Sequence, residues 1–568
     1  MQSALPLSYK PHIVHVLADD LGWADVGWHR EAKDQADVKT PSLDALAASG
    51  VRLERFYTHQ ICSPSRSAIQ SGRAPIHVNV QNVLPEVVNP ADPIGGYQGI
   101  PTNMTGIASV LRGAGYRTRF VGKWDVGMAT PMHHPRARGY ESWLGYWHHA
   151  NDYWQQTTGS CGAGTSPRDL WRFDTSTDAD GPAVELANGP RCSQHNQSPA
   201  DETCAFEDAI LTDEVVRLIS THNASEPLFL FWAPHLIHMP LQAPRAFVEA
   251  FAFIDDERRR LSHAMASLLD HEVARVVAAL HERSSPSGLM WDSTLLVFHS
   301  DNGGEILFAG LCGGNNWPLT GGKFSNFEGG IRVNAFVTGG AIPAAARNAS
   351  LDALITAWDW YATFAALAGA DPTDNAAAAA GLPPIDSLNM WPLLSGENAS
   401  APRTEVVIGE TGALTKNGDG QALVGGLIDA EGYKLVLGPE EKLHKVSQYV
   451  QTGPSWPNSS SHLVPDVHPK VRRAKPAYPN PPLADRLGSL RAQICGRSAS
   501  TGCLFNVFTD PTERINLAAS LTQKFYAMLA RVDTHQATVY SPVRGQDDPR
   551  ACEAVSKQYG GYWGPFVE

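Results

Sequence analysis

The sequence predicts an α/β protein in which a large, mixed and mainly parallel sheet is sandwiched by helices, followed by a smaller C-terminal α+β domain. Three observations lead there. Four apolar runs of strand length are separated by stretches of helical periodicity, the alternation that builds a parallel sheet covered on both faces. The 568 residues exceed what one hydrophobic core accommodates. After about Ser400 the runs shorten to candidates such as Glu405 to Ile408 and Tyr433 to Val436. The expected division is therefore 1–400 and 401–568, the second with a short antiparallel sheet.

The first strand is Ile13-Val14-His15-Val16-Leu17, ending in Ala18-Asp19-Asp20. Thr40-Pro41 then reads as an N-cap with proline at the first helical position, and Leu43, Leu46 and Ala47 recur at helical spacing. Arg117 to Val121, Leu228 to Trp232 and Thr294 to Phe298 read as three further buried strands. Helices are expected between and after them: Ile107 to Arg112, closed at Gly115; Asp208 to Thr221; Arg258 to His281; and Ile355 to Ala368 with an aromatic face. The run Ala376 to Ala380 reads as a loop or helix end. Gly453 to Pro482, rich in Pro, Ser and Asn, reads as a loop over a site mouth or a flexible excursion.

Composition narrows the function. Apolar content of 43% and charged content of 18% are those of a globular chain. A net charge of -13 argues against a nucleic-acid partner, which demands clustered Lys and Arg; the short run Lys470, Arg472, Arg473, Lys475 reads as a solvated loop. No apolar stretch is long enough to span a bilayer, so no integral membrane segment is expected. Met1 to Lys10 lacks the features of a secretory signal, which leaves a cytosolic precursor or a signal removed or replaced. Sequons at Asn103, Asn223, Asn348, Asn398 and Asn458 favour the secretory pathway, with a secreted or lysosomal destination; the one at Asn196 is followed by Pro199. Of eight cysteines, Cys192 with Cys204 and Cys495 with Cys503 are close enough to close small loops, while Cys161, Cys312 and Cys552 leave one unpaired. Buried reduced thiols in a cytosolic enzyme are the alternative.

Each chemically loaded motif follows a predicted strand, at the sheet edge where open α/β folds bind ligands. Asp19 and Asp20 follow the first; Lys123 and Asp125 the second; His235 and His238 the third; Asp301 and Asn302 the fourth. Singly, each reads as readily as a turn or cap residue. The two acidic pairs offer only oxygen donors, the preference of calcium or magnesium. Three carboxylates around one dication leave about one negative charge, which Arg66, Lys123 and Lys323 reverse; with Asp125 counted the pocket stands near roughly +1. That balance suits a singly charged sulfate monoester better than a doubly charged phosphate.

Cys62-Ser63-Pro64-Ser65-Arg66, continuing to Gly72-Arg73, is the most specific signal. Ser63 is expected to cap a helix starting at Pro64, which leaves residue 62 at the positive helix end, and Ser67 and Ala68 let that helix pack closely. A thiolate there is itself a nucleophile; a buried core cysteine is the bland alternative. With Cys62, Pro64, Ser65, Arg66, Gly72 and Arg73 in place, the chain resembles the type I sulfatases, whose signature is C-x-P-S-R followed by G-R. The likeness extends from about Pro11 to Ser395. It takes in Ala18-Asp19-Asp20-Leu21-Gly22, Gly122-Lys123-Trp124, Ala233-Pro234-His235 through Pro240-Leu241-Gln242, and Asp301-Asn302-Gly303-Gly304. Gly313 to Leu319, Gly322-Lys323, Glu328-Gly329-Gly330 and the ending Tyr562-Trp563-Gly564-Pro565 are similar to the arylsulfatase B group in particular.

The resemblance implies an alkaline-phosphatase-like catalytic domain and a sulfuric ester hydrolase. It implies that a formylglycine-generating enzyme oxidises Cys62 to formylglycine in the endoplasmic reticulum. The aldehyde hydrates; one hydroxyl attacks sulfur in line with the leaving alcohol, and the second expels sulfate by re-forming the aldehyde. Asp19, Asp20, Asp301, Asn302 and modified Cys62 are implied as ligands of one divalent cation, calcium foremost with magnesium as the alternative. Arg66 is implied to support the diol, Lys123 and Lys323 to bind sulfate oxygens, and His238 to contact sulfate and help protonate the leaving oxygen. His235 is implied less firmly, since shaping the turn accounts for it.

One departure stands out. The family's G-K-W-H-x-G has a histidine where this chain has Asp125. Asp125 is expected to be the base for aldehyde regeneration, the alternative being inactivity at this position. Two other classes compete: a phosphoesterase or phosphonate monoester hydrolase of the same superfamily, and a non-catalytic glycan-binding homologue. No further Asp/His cluster suits a second metal, which counts against a two-zinc phosphatase. The expected substrate is a sulfated small molecule or glycan, with N-acetylgalactosamine 4-sulfate, algal or matrix polysaccharide, glycosaminoglycan and aryl sulfate all open. Trp143, Tyr146, Trp147, Tyr153 and Trp154 are read as sugar-stacking or core aromatics with equal weight.

Overall fold

A computed structural model describes residues 9–30, 37–162, 166–187, 204–254, 257–286, 288–306, 312–410, 423–438 and 495–568. The basic run at Lys470 to Lys475, the 453–482 segment, Cys192 and the sequons at Asn196 and Asn458 lie outside the described residues.

Ten strands form the central sheet: β1 (His12–Ala18), β2 (Val51–Leu53), β3 (Arg117–Lys123), β4 (Ser142–Tyr146), β5 (Trp171–Asp174), β6 (Ala179–Pro182), β7 (Leu228–Ala233), β8 (Thr294–Ser300), β9 (Ala335–Thr338) and β10 (Ala349–Leu351). Their order is β10-β2-β9-β8-β1-β7-β3-β4-β5-β6. From β8 to β4 the strands are parallel. Antiparallel strands extend both edges, and β10 pairs parallel with β2. The four strands expected to carry the chemistry, β8, β1, β7 and β3, are consecutive neighbours.

Why β1, β7 and β8 read as largely apolar runs is plain from what covers them, whereas β3 starts with the partly exposed Arg117 and Arg119 and is buried from Phe120 on. Alternate residues leave a strand on opposite faces. Ile13, Leu17, Phe229, Phe231, Leu295 and Val297 enter one core with Ile107 and Leu111 of α3 (Ile107–Gly113) and Trp360 and Phe364 of α6 (Asp359–Ala368). Val14, Val16, Leu230, Trp232, Leu296 and Phe298 enter the other with α1 (Pro41–Ser49), α4 (Glu207–Thr221) and the long α5 (Glu257–Glu282). A sheet buried on both sides has no polar face to alternate with.

Local chemistry moved several expected boundaries. Thr40 is the N-cap of α1, but its hydroxyl caps nothing in the helix: it donates to Asp44 Oδ1 and accepts from the Gly27 N–H. Ser63 is not a cap, because α2 runs Cys62–Ser71 with Ile61 at the N-cap and residue 62 already helical. The hydroxyl of Ser63 goes instead to Asp125 Oδ1 and Asn82 Oδ1, both at 3.0 Å. The helix expected from Ile355 starts only at Asp359. Asp359 Oδ2 accepts from the Thr356 N–H and hydroxyl, and Ile355–Thr356 pairs with Phe56–Tyr57 as a short ladder. Asn375–Ala379 is a short helix, capped by the Asp374 side chain.

A four-stranded antiparallel sheet, β11 (Glu405–Glu410), β12 (Leu423–Asp429), β13 (Tyr433–Val436) and β14 (Cys503–Asn506), makes up the smaller unit. Phe525, Met528 and Val532 of α7 (Thr522–Gln536) pack on it. The chain then returns to the first unit: Gln546–Asp547 pairs with Val87–Val88, and Cys552 is disulfide-bonded to Cys161. Cys495 pairs with Cys503 as expected; Cys204 is disulfide-bonded too; Cys62 and Cys312 are buried and belong to no disulfide.

Candidate active site

Parallel strands in register end together, and the residues after those ends meet. Ala18 pairs with Ser300 and Gly122 with Ala233, so Asp19, Lys123, His235 and Asp301 leave the sheet side by side. Gly122 carries φ +103°, and a Cβ there would lie 1.8 Å from the Ala233 carbonyl oxygen; only glycine lets β3 approach β7 closely enough to set Lys123 beside Asp19. The loop after β7 is clamped to β1 by Asp19 N–H to Leu236 O (2.9 Å) and Ile237 N–H to Asp19 O (2.7 Å). Tyr153 fixes its far side by donating to the His235 and His238 carbonyls.

α2 delivers Cys62 into this cluster from its first turn, where backbone N–H groups concentrate positive potential. All ten of its residues are buried, and Gly72, left-handed at φ 68°, ends it. Cys62 Sγ is 3.7 Å from Asp19 Oδ1. Arg66, one turn on, donates from Nε to Asp301 Oδ2 (2.9 Å) and lies 3.4 Å from Asp19 Oδ1. Two lysines close the ring: Lys123 Nζ donates to Asp19 Oδ2 (2.8 Å) and Lys323 Nζ to Asp20 Oδ2 (2.7 Å). Every residue expected to hold the cation or the sulfate is within this one buried cluster.

The donor set fits a hard dication. Asp19, Asp20, Cys62 and His238 can each bring one ligand atom to within 4.8 Å of the others. Asp301 adjoins them through the Asp20 N–H (3.2 Å). Asn302 donates its amide to Asp20 Oδ1 (2.6 Å), while its own Oδ1 is buried without a hydrogen-bond partner. A buried acceptor lacking a donor is what a cation satisfies. His238, whose Nε2 is 3.6 Å from Asp20 Oδ2, has its tautomer fixed by its hydrogen bonds. Nδ1 is 2.6 Å from the Met239 carbonyl and must donate; Nε2 is 3.0 Å from the Lys323 ammonium and must accept.

Electrostatics follow from burial and neighbours. Burial pushes the Cys62 thiol well above its ordinary value despite Lys123 and Lys323, so the unmodified side chain is a neutral thiol and a poor nucleophile. Burial also lowers His238 well below 6.5, reinforced by Lys323 and Lys123, which makes the imidazole neutral. Burial opposes the charge on both lysines, yet Asp19 raises Lys123 and Asp20 raises Lys323, so both stay ammonium. Asp125 is pushed up by burial and drawn down further by His149 and Lys123, to about 2.

His235 is fully buried, stacked on Tyr153 at 4.0 Å, with Nδ1 3.1 Å from Glu207 Oε1 and its backbone N–H on Asp208. It shapes the turn. The aromatic cluster is core: Trp143, Tyr146, Trp147, Tyr153 and Trp154 are all buried, so none presents a ring to a sugar. Two residues escaped the sequence reading. Glu305 lies 3.8 Å from Lys323 and is raised by burial to about 7, beside a small cleft that Asp20, Ile237, Met239, Leu241 and Gly313 also line. His149 sits 2.6 Å from Asp125.

Comparison with known proteins bears on the family and the fold. The family model described as Sulfatase matches residues 11–370. Arylsulfatase J of Mus musculus is 29% identical over 570 residues, covering 98% of this chain and 81% of that protein. N-acetylgalactosamine-6-sulfatase of Sus scrofa is 30% identical over 396 residues, 69% of this chain and 67% of that one. Among solved structures, Ps i-CgsB in complex with k-i-k-neocarrahexaose superposes with a TM-score of 0.66 at 23% identity, covering 95% of both chains. The PsFucS1 sulfatase from Pseudoalteromonas sp. superposes with 0.63 at 19% identity, covering 93% of this chain and 90% of that one.

Proposed function

The chain belongs to the sulfatase family and is a sulfuric ester hydrolase, and on that premise we propose that its buried cluster cleaves the sulfate ester of a sugar at a formylglycine made from Cys62. The observation that carries the reading is Cys62 itself, the first residue of a buried helix, 3.7 Å from Asp19 and among the influences of two charged lysines. Formylglycine with a bound dication supplies a hydrated aldehyde whose hydroxyl is a nucleophile at neutral pH. Asp19, Asp20, Asp301, Asn302 and residue 62 would hold the ion, and calcium is the one we propose, because an all-protein oxygen cage suits it while magnesium keeps several waters.

The chain's own residues do the rest. Arg66 locks Asp301 and Asp19 in place and, like the two lysines, offsets their charge. Lys123 and Lys323, swinging from Asp19 and Asp20, bind sulfate oxygens and stabilise the charge that builds on them. His238 is neutral with a bare Nε2 that accepts from Lys323, so the proton for the leaving oxygen is drawn from the Lys323–His238 pair. Asp125 is ionised throughout the working range, and Oδ2, which accepts no hydrogen bond, is its available proton acceptor. A sugar substrate is supported by the relatives named for sulfated sugars.

We place the protein in the secretory pathway, secreted or lysosomal. The disulfides support this, as do the exposed sequons at Asn103, Asn223, Asn348 and Asn398. Among the described residues no helix is long and apolar enough to cross a membrane.

The test is mass spectrometry of the Cys62 peptide from a host carrying the formylglycine-generating enzyme, joined to turnover of nitrophenyl sulfate, nitrophenyl phosphate and sulfated N-acetylgalactosamine. Conversion at residue 62 with sulfate preferred is expected. An intact thiol, or faster phosphate cleavage, would sink the proposal.

A further inference from the structure

Asp125 poses a physical problem for any anionic substrate. Its carboxylate is 5% exposed, 3.8 Å from Lys123 Nζ, and tied to the residue next to Cys62 by the Ser63 hydroxyl at 3.0 Å. A fixed negative charge so near the reacting ester repels the sulfate it has to admit, and burial leaves no water to screen it. Lys123 is not a full remedy, since its closer partner is Asp19.

The remedy stands on the neighbouring strand. Beyond β4, His149 places Nδ1 2.6 Å from Asp125 Oδ1 and 3.4 Å from Ser63 Oγ. The sheet fixes this meeting: Lys123 pairs with Tyr146, and the Asp125 N–H donates to the Trp147 carbonyl at 3.2 Å. Oδ1 is thereby occupied by both His149 and Ser63, while Oδ2 accepts no hydrogen bond, and His149 Nε2 is buried without a partner. The other charges that act on the pair are Glu86 on the His149 side and Lys123 and Arg66 on the Asp125 side.

We infer that His149 is a positioning residue for ester cleavage, whose imidazolium fixes Oδ1 of Asp125, offsets that carboxylate's charge and leaves Oδ2 as the oxygen available to the reacting groups. The inference rests on the sulfatase reading of the pocket. It requires no covalent step: the contribution is one hydrogen bond and one positive charge. Asp125 and His149 together act as a neutral unit that nevertheless presents an anionic oxygen.

The experiment uses the full chain, with formylglycine content measured for every variant, and has two readouts: kcat and KM on nitrophenyl sulfate, and binding of inorganic sulfate by calorimetry. His149→Ala exposes the Asp125 charge, so sulfate affinity should fall roughly 10–100-fold, KM should rise and kcat should drop. His149→Asn keeps a donor to Oδ1 without the charge, and should recover kcat more than affinity. Removing both charges in Asp125→Asn with His149→Ala should restore sulfate affinity to within about 3-fold of the parent while kcat stays low.

Parental sulfate affinity in His149→Ala, or a double variant that binds as weakly as the single one, would overturn the inference. So would equal effects of Ala and Asn on both readouts, which would mark a merely structural role. The binding arm needs no turnover. A parent protein that cleaves no sulfate ester would therefore overturn the functional reading while the sulfate affinities still decide the pairing.

Discussion

Replacing Lys323 by methionine keeps the buried stem and deletes one charge. Nζ lies 2.7 Å from Asp20 Oδ2 and 3.8 Å from Glu305 Oε2, and all three residues are buried. At an effective dielectric of ~20 these separations correspond to attractions of about 6 and 4 kcal/mol before desolvation is subtracted. Removing one partner of such a buried pair costs about 3–5 kcal/mol net. On the proposed assignment a dication held by Asp20 would supply the same countercharge, so lysine and ion would be alternative compensations for one carboxylate. The expected loss is about 3–5 kcal/mol in chelator and less than half of that in saturating calcium. Urea unfolding of parent and variant under both conditions measures it. In calcium, kcat/KM on nitrophenyl sulfate should fall ~10²–10³-fold, as for loss of one charged donor to the transition state. Equal destabilisation with and without calcium would refute the pairing of Lys323 with an ion-binding carboxylate.

Gly122→Ala puts a Cβ 1.8 Å from the Ala233 carbonyl at φ +103°. It should cost at least ~3 kcal/mol and lower activity through displaced Lys123, seen together in thermal unfolding and turnover; a normally stable, active variant would contradict the packing argument. Cys552→Ser opens a cross-link spanning 391 residues, which the chain-entropy model values at about 6 kcal/mol. It should lower the urea midpoint without changing KM, and an unchanged midpoint would count against that account. His133 is held at about 3 by burial, with help from Arg138 and Arg544. Unfolded it binds its proton near 6.5, so below that pH the unfolded chain holds more protons and stability is lost as pH falls. Relative to the parent, His133→Gln should therefore gain about 2 kcal/mol between pH 7 and pH 5. A pH-independent difference between the two proteins would show that the imidazole is not held neutral.

The positions of β1, β7 and β8 were legible because burial on both faces leaves a largely apolar signature, and the run Leu228 to Trp232 lies wholly within β7. Their ends were less so. β3 continues through Lys123 and β8 through Ser300 because backbone pairing, with Gly122 on Ala233 and Ala18 on Ser300, persists after apolarity stops. The residues proposed to hold the metal and the sulfate could be grouped because parallel strands bring their carboxyl ends to one edge. What sequence could not supply was competition among side chains. Ser63 has the chemistry of a cap, but Asp125 and Asn82 take its hydroxyl. The five aromatics from Trp143 to Trp154 have the chemistry of a sugar platform, but they fill the core. Cys161 and Cys552 meet across 391 residues, where spacing carries no signal.

Asp125 is the instructive case. Read position by position, an aspartate in place of the family's histidine looks like a base exchanged for a weaker one with an unwelcome charge. The compensating imidazole is 24 residues away, so no local motif contains both. A signal was nonetheless present once the sheet order is considered. If β3 and β4 are parallel neighbours in register, with Lys123 opposite Tyr146, then a residue two beyond the first and one three beyond the second leave adjacent strand ends. Asp125 and His149 are those residues. Sequence alone did not state that β4 follows β3 in the sheet, because Ser142-Trp-Leu-Gly-Tyr146 is short and broken by a glycine, without the runs that mark β1, β7 and β8. The substitution at 125 is thus interpretable only at the level of topology, where a charge introduced on one strand end is answered from the next.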